Sequence, residues 1–276
     1  MKGRNTVRKI QEKVDNGEKL VMVTAYDYPS AYLAEQAGVD MILVGDSLGN
    51  VILGYDTTIP VTMEDMLHHT RAVSRAVNGP MVIADMPYGS YHVSVEQAVT
   101  NAMRLIQEGG AHAVKLEGSH IAPLVKEMSI RGIPVMSHLG LEPQNASLWN
   151  GYRTCGRDED TAWALVEAAQ DMEEAGAFAV LIECVAAEAA RLITEKIDIP
   201  TIGIGSGVDC NGQVLVWHDI LGIGNSHTPK FAKQYANIGA QIESALREYA
   251  KEVRSGAFPD EEHSVKMEEN EAKRLY

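Results

Sequence analysis

The chain has 276 residues, 45% hydrophobic and 22% charged, a balance that can fill a complete core and excludes a disordered polypeptide. Its 24 basic and 38 acidic residues leave a formal net charge of -14, a field that repels phosphate backbones and argues against nucleic acid as a partner. The first 16 residues mix Lys, Arg and Glu without the apolar stretch of a signal peptide, and no later run approaches the ~20 apolar residues that span a bilayer, so the expected location is the cytoplasm, with no membrane partner.

In chain order, an amphipathic segment over residues 6–14 comes first. Short Val/Ile-rich runs bounded by Gly, Pro or polar residues then predict strands at 20–25, 41–45, 81–85, 113–117, 134–138, 179–183, 201–204 and 214–217. Helical periodicity fills most gaps, over 30–37, 121–130, 158–174, 185–196 and 229–250. Two further helices are announced by their start signals, Thr62-Met63-Glu64-Asp65 and Ser94-Val95-Glu96-Gln97. Residues 207–213 are too few and too polar for a helix, so the seventh and eighth strands should be joined by a loop.

Eight strands alternating with helices predict a parallel α/β protein, and a (β/α)8 TIM barrel suits the length, with the 6–14 helix capping its bottom and no regular helix between strands 7 and 8. An open doubly wound sheet has the same strand count and is the structural rival. With no Pro-rich or Gly/Ser-rich linker in sight, residues 1–264 read as one barrel domain and 265–276 as a charged tail. Cys155, Cys184 and Cys210 are widely spaced and form no C-x-x-C, which predicts free thiols in a reducing compartment.

Acidic residues stand at or just past the ends of four predicted strands: Asp46, Asp85, Glu117 and Glu183. In a parallel barrel those ends share the face where barrel enzymes keep their active sites, and carboxylates at apolar strand ends are costly unless paired or bound to metal. Side chains alternate along a strand, so Lys115 shares its side with Glu117, Ile83 with Asp85 and Leu181 with Glu183. His138 ends the fifth strand on the same rim. Oxygen donors without Cys, and without His at ligand spacing, fit Mg2+ better than zinc, with water positions that a bidentate 2-oxo acid could take.

Each feature also has a plainer explanation. A single strand-end acid is as often a cap or an ion pair; the four together favour a site. Lys115 reads as an ion-pair or carboxylate-binding residue ahead of a Schiff-base nucleophile. His68-His69 reads as helix surface or packing, and Gly203-Ile204-Gly205-Ser206-Gly207 as a tight turn, since it lacks the full dinucleotide spacing.

The segments Thr24-Ala25-Tyr26-Asp27-Tyr28, Leu43-Val44-Gly45-Asp46-Ser47-Leu48-Gly49, Ala84-Asp85-Met86-Pro87, Val114-Lys115-Leu116-Glu117-Gly118, Gly140-Leu141 with Pro143-Gln144, Leu181-Ile182-Glu183-Cys184, Gly203-Ile204-Gly205 and His227-Thr228-Pro229-Lys230-Phe231 resemble the ketopantoate hydroxymethyltransferase family, in family order up to about residue 264. The resemblance implies a barrel of the phosphoenolpyruvate/pyruvate type. It implies transfer of a hydroxymethyl group from 5,10-methylenetetrahydrofolate to 3-methyl-2-oxobutanoate, giving 2-dehydropantoate, a precursor of pantothenate.

By position, Asp46, Asp85 and Glu117 match the family's magnesium site, Asp46, Ser47, Asp85 and Lys115 its substrate contacts, and Glu183 its catalytic base. His138 matches the histidine of a His-Leu-Gly segment and is expected as a supporting neighbour of these groups. The family also implies a homo-oligomer, often a decamer. Departures are few: Ser206 stands where many members carry Ala, and Met86-Pro87-Tyr88 varies a neighbouring segment. The rival activity is a metal-dependent lyase or mutase of the isocitrate-lyase type acting on another 2-oxo acid. It would call for a reactive cysteine in a loop, with Cys155 and Cys210 as candidates.

Overall fold

The computed structural model describes residues 3–148, 153–224 and 229–275. His227 and Thr228 of the last resembling segment lie outside the described residues.

Eight parallel strands close on themselves in sequence order, β1 (Leu20–Thr24), β2 (Met41–Val44), β3 (Met81–Asp85), β4 (Ala113–Glu117), β5 (Val135–Gly140), β6 (Ala179–Glu183), β7 (Thr201–Ile204) and β8 (Gly212–Leu215). This is the expected TIM barrel, and β8 pairing with β1 along Leu20–Gly212 to Val23–Leu215 rules out the open sheet. Around the sheet run α2 (Tyr28–Gln36), α4 (Met63–Ala76), α5 (Val95–Gln107), α6 (Ala122–Ser129), α7 (Glu159–Glu174) and α8 (Ala187–Lys196), with α3 (Leu48–Val51) a single turn after β2. Residues 205–211 join β7 to β8 without a helix.

The alternation of side chains divides the core in two. Met41, Leu43, Met81, Ile83, Met136, Leu181 and Ile202 fill the barrel interior, while Val82, Ala84, Val114, Leu116, Val180 and Ile182 point outward against the helices. The first helix, α1 (Val7–Asp15), inserts a fully buried Ile10 into the interior cluster with Val7 and Val14 behind it, and so closes the bottom as the amphipathic pattern predicts. Its cap is Thr6, whose side chain accepts from the Lys9 amide. The Thr62–Asp65 capping box forms as read, and Ser94 Oγ accepts from the Gln97 amide at 3.1 Å.

Two expectations need correction. The eighth strand lies at 212–215 rather than 214–217, because Trp217 already begins the short helix α9 (Trp217–Leu221). Gly212 is the residue that allows closure: a Cβ there would stand 2.7 Å from both Leu20 Cβ and Ile202 Cδ1. The last long helix, α10 (Ile238–Ser255), starts nine residues later than the 229–250 expectation, where Asn237 accepts from the Ala240 amide. None of its residues is buried, and Ile242, Leu246, Tyr249 and Val253 leave one apolar stripe exposed. In the tail, α11 (Glu269–Ala272) is a single exposed turn. Among the described residues no helix is long and apolar enough to cross a membrane.

Candidate active site

Strand registry assembles the acidic rim. Asp85, Glu117 and Glu183 are the final residues of β3, β4 and β6, and Asp46 follows β2 by two residues. The ladder sets Asp85 beside Lys115 and Glu117 beside His138, with the same inward parity as Ile83, Met136 and Leu181 below them. Apolar layers therefore end in a charged layer at the C-terminal mouth, where barrel enzymes place their chemistry.

Lys115 is the centre of that layer. Its Nζ lies 3.0 Å from Asp85 Oδ1, 3.6 Å from Glu117 Oε1 and 3.1 Å from His138 Nδ1. His138 continues the chain, with Nδ1 3.3 Å from Glu117 Oε1 and Nε2 3.3 Å from Glu183 Oε2. Asp85 Oδ2 accepts from the Asp46 amide at 3.0 Å, which ties the β2 and β3 ends together. Ser47 Oγ is 2.9 Å from Tyr26 Oη, and a Cβ on Gly45 would come 2.7 Å from Ser47 Oγ and 3.5 Å from Asp85 Oδ2, so only glycine leaves this corner open. All seven predicted site residues are thus brought to one mouth. Only Glu183 among the charged ones keeps appreciable exposure, 16% of its side chain against 2–4% for Lys115, Asp85, Glu117 and His138.

Burial and mutual charge decide the protonation of these groups. Burial, followed by repulsion from Asp85 and Glu117, holds Asp46 well above the usual carboxylate range. Burial also raises Asp85, against the opposing pull of Lys115. Glu117 goes the other way: burial would raise it, but the charge and hydrogen bond of His138, with Lys115, bring it below its ordinary value. Burial and Lys115 depress His138, yet Glu117 and the contact with Glu183 outweigh them and lift it to about 9. Desolvation likewise opposes the ammonium of Lys115, and three nearby carboxylates reverse the sign, so it stays charged rather than serving as a free amine nucleophile.

Three supporting residues escape a reading of strand ends. Gln144, fully enclosed, donates from Nε2 to Asp46 Oδ2 and to the Met86 carbonyl, both at 2.9 Å, while its backbone amide donates to Glu117 Oε2 at 3.0 Å. Tyr91 Oη donates to Gln144 Oε1 at 2.7 Å and accepts from the Glu117 amide at 3.3 Å. Tyr26 holds Ser47. His69 has a packing role, its Nδ1 2.6 Å from the Tyr26 carbonyl.

The ketopantoate hydroxymethyltransferase family model matches residues 4–261. The chain belongs to that family. Among its relatives, the 3-methyl-2-oxobutanoate hydroxymethyltransferase of Syntrophus aciditrophicus is 54% identical over 95% of this chain and 97% of its own length. The enzyme of the same name from Carboxydothermus hydrogenoformans is 52% identical over 99% of both. Solved structures of a phosphonopyruvate hydrolase with oxalate and Mg2+ (TM-score 0.59, 16% identity, 98% of this chain and 96% of that one) and of 2,3-dimethylmalate lyase, a PEP mutase/isocitrate lyase superfamily member (0.58, 16%, 98% and 93%), share the barrel fold.

Burial raises all three cysteine thiols above their ordinary range. Cys210 is buried within the β7–β8 connection itself, and Cys184 is pushed up to about 12 by burial and by Glu183. The acidic mouth fits a hard cation by its chemistry: four carboxylates face one lysine and one imidazole, and Asp85 Oδ1 has no properly directed hydrogen bond despite its ionic contact with Lys115. Among the described residues no three His, Cys, Asp or Glu side chains close on one point as a complete ligand set.

Proposed function

We propose that the chain transfers a hydroxymethyl group from 5,10-methylenetetrahydrofolate to 3-methyl-2-oxobutanoate, giving 2-dehydropantoate for pantothenate biosynthesis, with magnesium at the acidic mouth. One arrangement carries the reading: Glu183 stands at the edge of the cluster formed by Asp46, Asp85, Lys115 and Glu117, linked to it through His138. Asp46 and Asp85 would hold the ion, with Glu117 beside them. When bound, magnesium supplies Lewis-acid polarisation of the 2-oxo acid, which acidifies the proton at C3.

The chain's own groups do the rest. Lys115, kept as ammonium among three acids, orients the substrate carboxylate together with Ser47. Glu183, the most open of the acids, takes the C3 proton. His138 lies beside that carboxylate, with Nε2 3.3 Å from Glu183 Oε2, and its charge steadies it there. Gln144 restrains Asp46 and Glu117 at once, so that the two cannot turn apart. In the overall exchange the C3–H bond breaks and a bond from C3 to the methylene carbon forms, while both methylene–nitrogen bonds of the folate break. One water supplies the hydroxyl oxygen, and the proton from C3 and the two from water end on that hydroxyl and on the two folate nitrogens.

Deuterium wash-in at C3 of 3-methyl-2-oxobutanoate, with and without Mg2+, isolates the first step. Metal-dependent exchange is expected; exchange that ignores both chelation and Glu183→Gln would sink the assignment. The chain is also proposed to work as a homo-oligomer of the decameric kind implied by the family. The support for this is the exposed apolar stripe of α10, which a second copy would cover.

A further inference from the structure

Beyond Glu117 the charged layer opens into a cavity of about 350 Å3, walled by the loops that follow β3, β4 and β5. Glu117 and Tyr91 belong to both spaces. The Tyr91 hydroxyl reaches Gln144 inside the acidic site, while its ring lies 4.2 Å from that of His92, centroid to centroid, in the cavity wall. His92 Nδ1 accepts from the Gly89 amide at 3.1 Å, which leaves Nε2 as the nitrogen bearing hydrogen. Val95, Ile121 and Leu124 supply apolar walls, and Ser94 and Asn145 supply polar edges. Since Ser94 Oγ already accepts from the Gln97 amide, its own hydrogen remains to be given.

Apolar walls, aromatic rings and a few donors and acceptors at the edge select a flat fused heterocycle with hydrogen-bonding groups on its perimeter. The volume is at the lower end of ligand pockets, roughly 300–1,000 Å3, enough for a two-ring system and too small for a long tail. Position narrows the choice further. A carbon donor must bring its carbon to within about 3–3.5 Å of the attacking atom, and this cavity shares its Glu117 wall with the place where the 2-oxo acid would sit.

We propose that the cavity seats the pteridine ring of the folate co-substrate, its rim meeting Ser94, Asn145 and His92, with the aminobenzoyl-glutamate tail directed outward. The inference rests on hydroxymethyl transfer being the reaction of this site, and its test separates the two. Tetrahydrofolate is titrated calorimetrically into the full chain with Mg2+ and 3-methyl-2-oxobutanoate present, and C3 deuterium exchange, a partial reaction that needs no folate, is followed alongside. Val95 is 44% exposed, so Val95→Trp can fill the cavity from the helix surface. Tetrahydrofolate affinity should fall by at least about tenfold, the loss of a bicyclic ring's contacts, while C3 exchange continues.

Unchanged tetrahydrofolate affinity in Val95→Trp, with exchange intact, would overturn the cavity assignment and leave the enolisation reading standing. Absent exchange in the unsubstituted chain would instead overturn the enolisation reading. Should Val95→Trp fail to fold, amide hydrogen exchange on the unsubstituted chain decides. Tetrahydrofolate is then expected to protect residues 88–95 and 118–124, and protection confined to other segments would refute the proposal.

Discussion

Glu183 lies between two unusual backbone positions, a left-handed residue after it and a glycine packed against its carbonyl. The next residue, Cys184, has φ 50°, the one non-glycine in the left-handed region among the described residues, a conformation of the kind that concentrates at functional positions. Opposite it, Gly140 at φ 99° lies so close that a Cβ would stand 2.3 Å from the Glu183 carbonyl oxygen. Gly140→Ala is therefore expected to cost about 1–3 kcal/mol in urea-denaturation stability and to slow C3 exchange by shifting Glu183. Glu183→Gln should keep substrate binding and slow exchange by about 10²–10⁴-fold, the usual contribution of a positioned base. A variant that loses binding and rate together would point to a structural role instead.

A second residue-scale expectation concerns acid stability. His112 is lowered to about 4, first by burial and then by Arg4, and its Nδ1 accepts from the Val82 amide at 2.8 Å, a bond that needs the neutral ring. Between pH 6.5 and about 4 the unfolded chain binds a proton that the folded chain refuses. This contribution to stability is therefore present above about 6.5 and lost as the pH falls toward 4. His112→Asn keeps an acceptor and removes the titration, so its urea midpoint should vary less over that window than that of the unsubstituted chain.

At the scale of elements, the caps give a clean measurement. Thr62 and Asp65 exchange side-chain and backbone hydrogen bonds at the start of α4, and Thr62→Ala should lower unfolding free energy by about 1 kcal/mol without touching exchange. Strands were legible because each is a short apolar run that ends in a polar or acidic residue. β8 was displaced by two residues because Gly212 and Gln213 carry no apolar signal, and their role in closure comes from the close approach of β1 and β7. The start of α10 falls later than the pattern predicts because the apolar residues of 229–237 lie in a largely irregular stretch. In the site, the acids stood out through their strand-end positions. Gln144 and Tyr91 did not, since they are neutral residues in the connections after β5 and β3 whose partners lie 98 and 53 positions away in sequence and no periodicity relates such pairs. Gln144 did fall within a segment resembling the family, the one signal that could have marked it.

For the whole molecule, the stripe of Ile242, Leu246, Tyr249 and Val253 on α10 makes assembly testable. Leu246→Glu should shift the chain to smaller species in sedimentation while a single copy keeps its secondary structure; an unchanged sedimentation profile would remove α10 from the contact. The barrel's charged mouth has a consequence for its endurance. Because Lys115 threads between Asp85 and Glu117, the protein has a built-in tethered cation that damps the repulsion of its acids when no divalent ion is at hand. Chelator should then switch off C3 exchange while the thermal transition survives, moved by only a few degrees, so that loss of metal idles the catalyst instead of dismantling it.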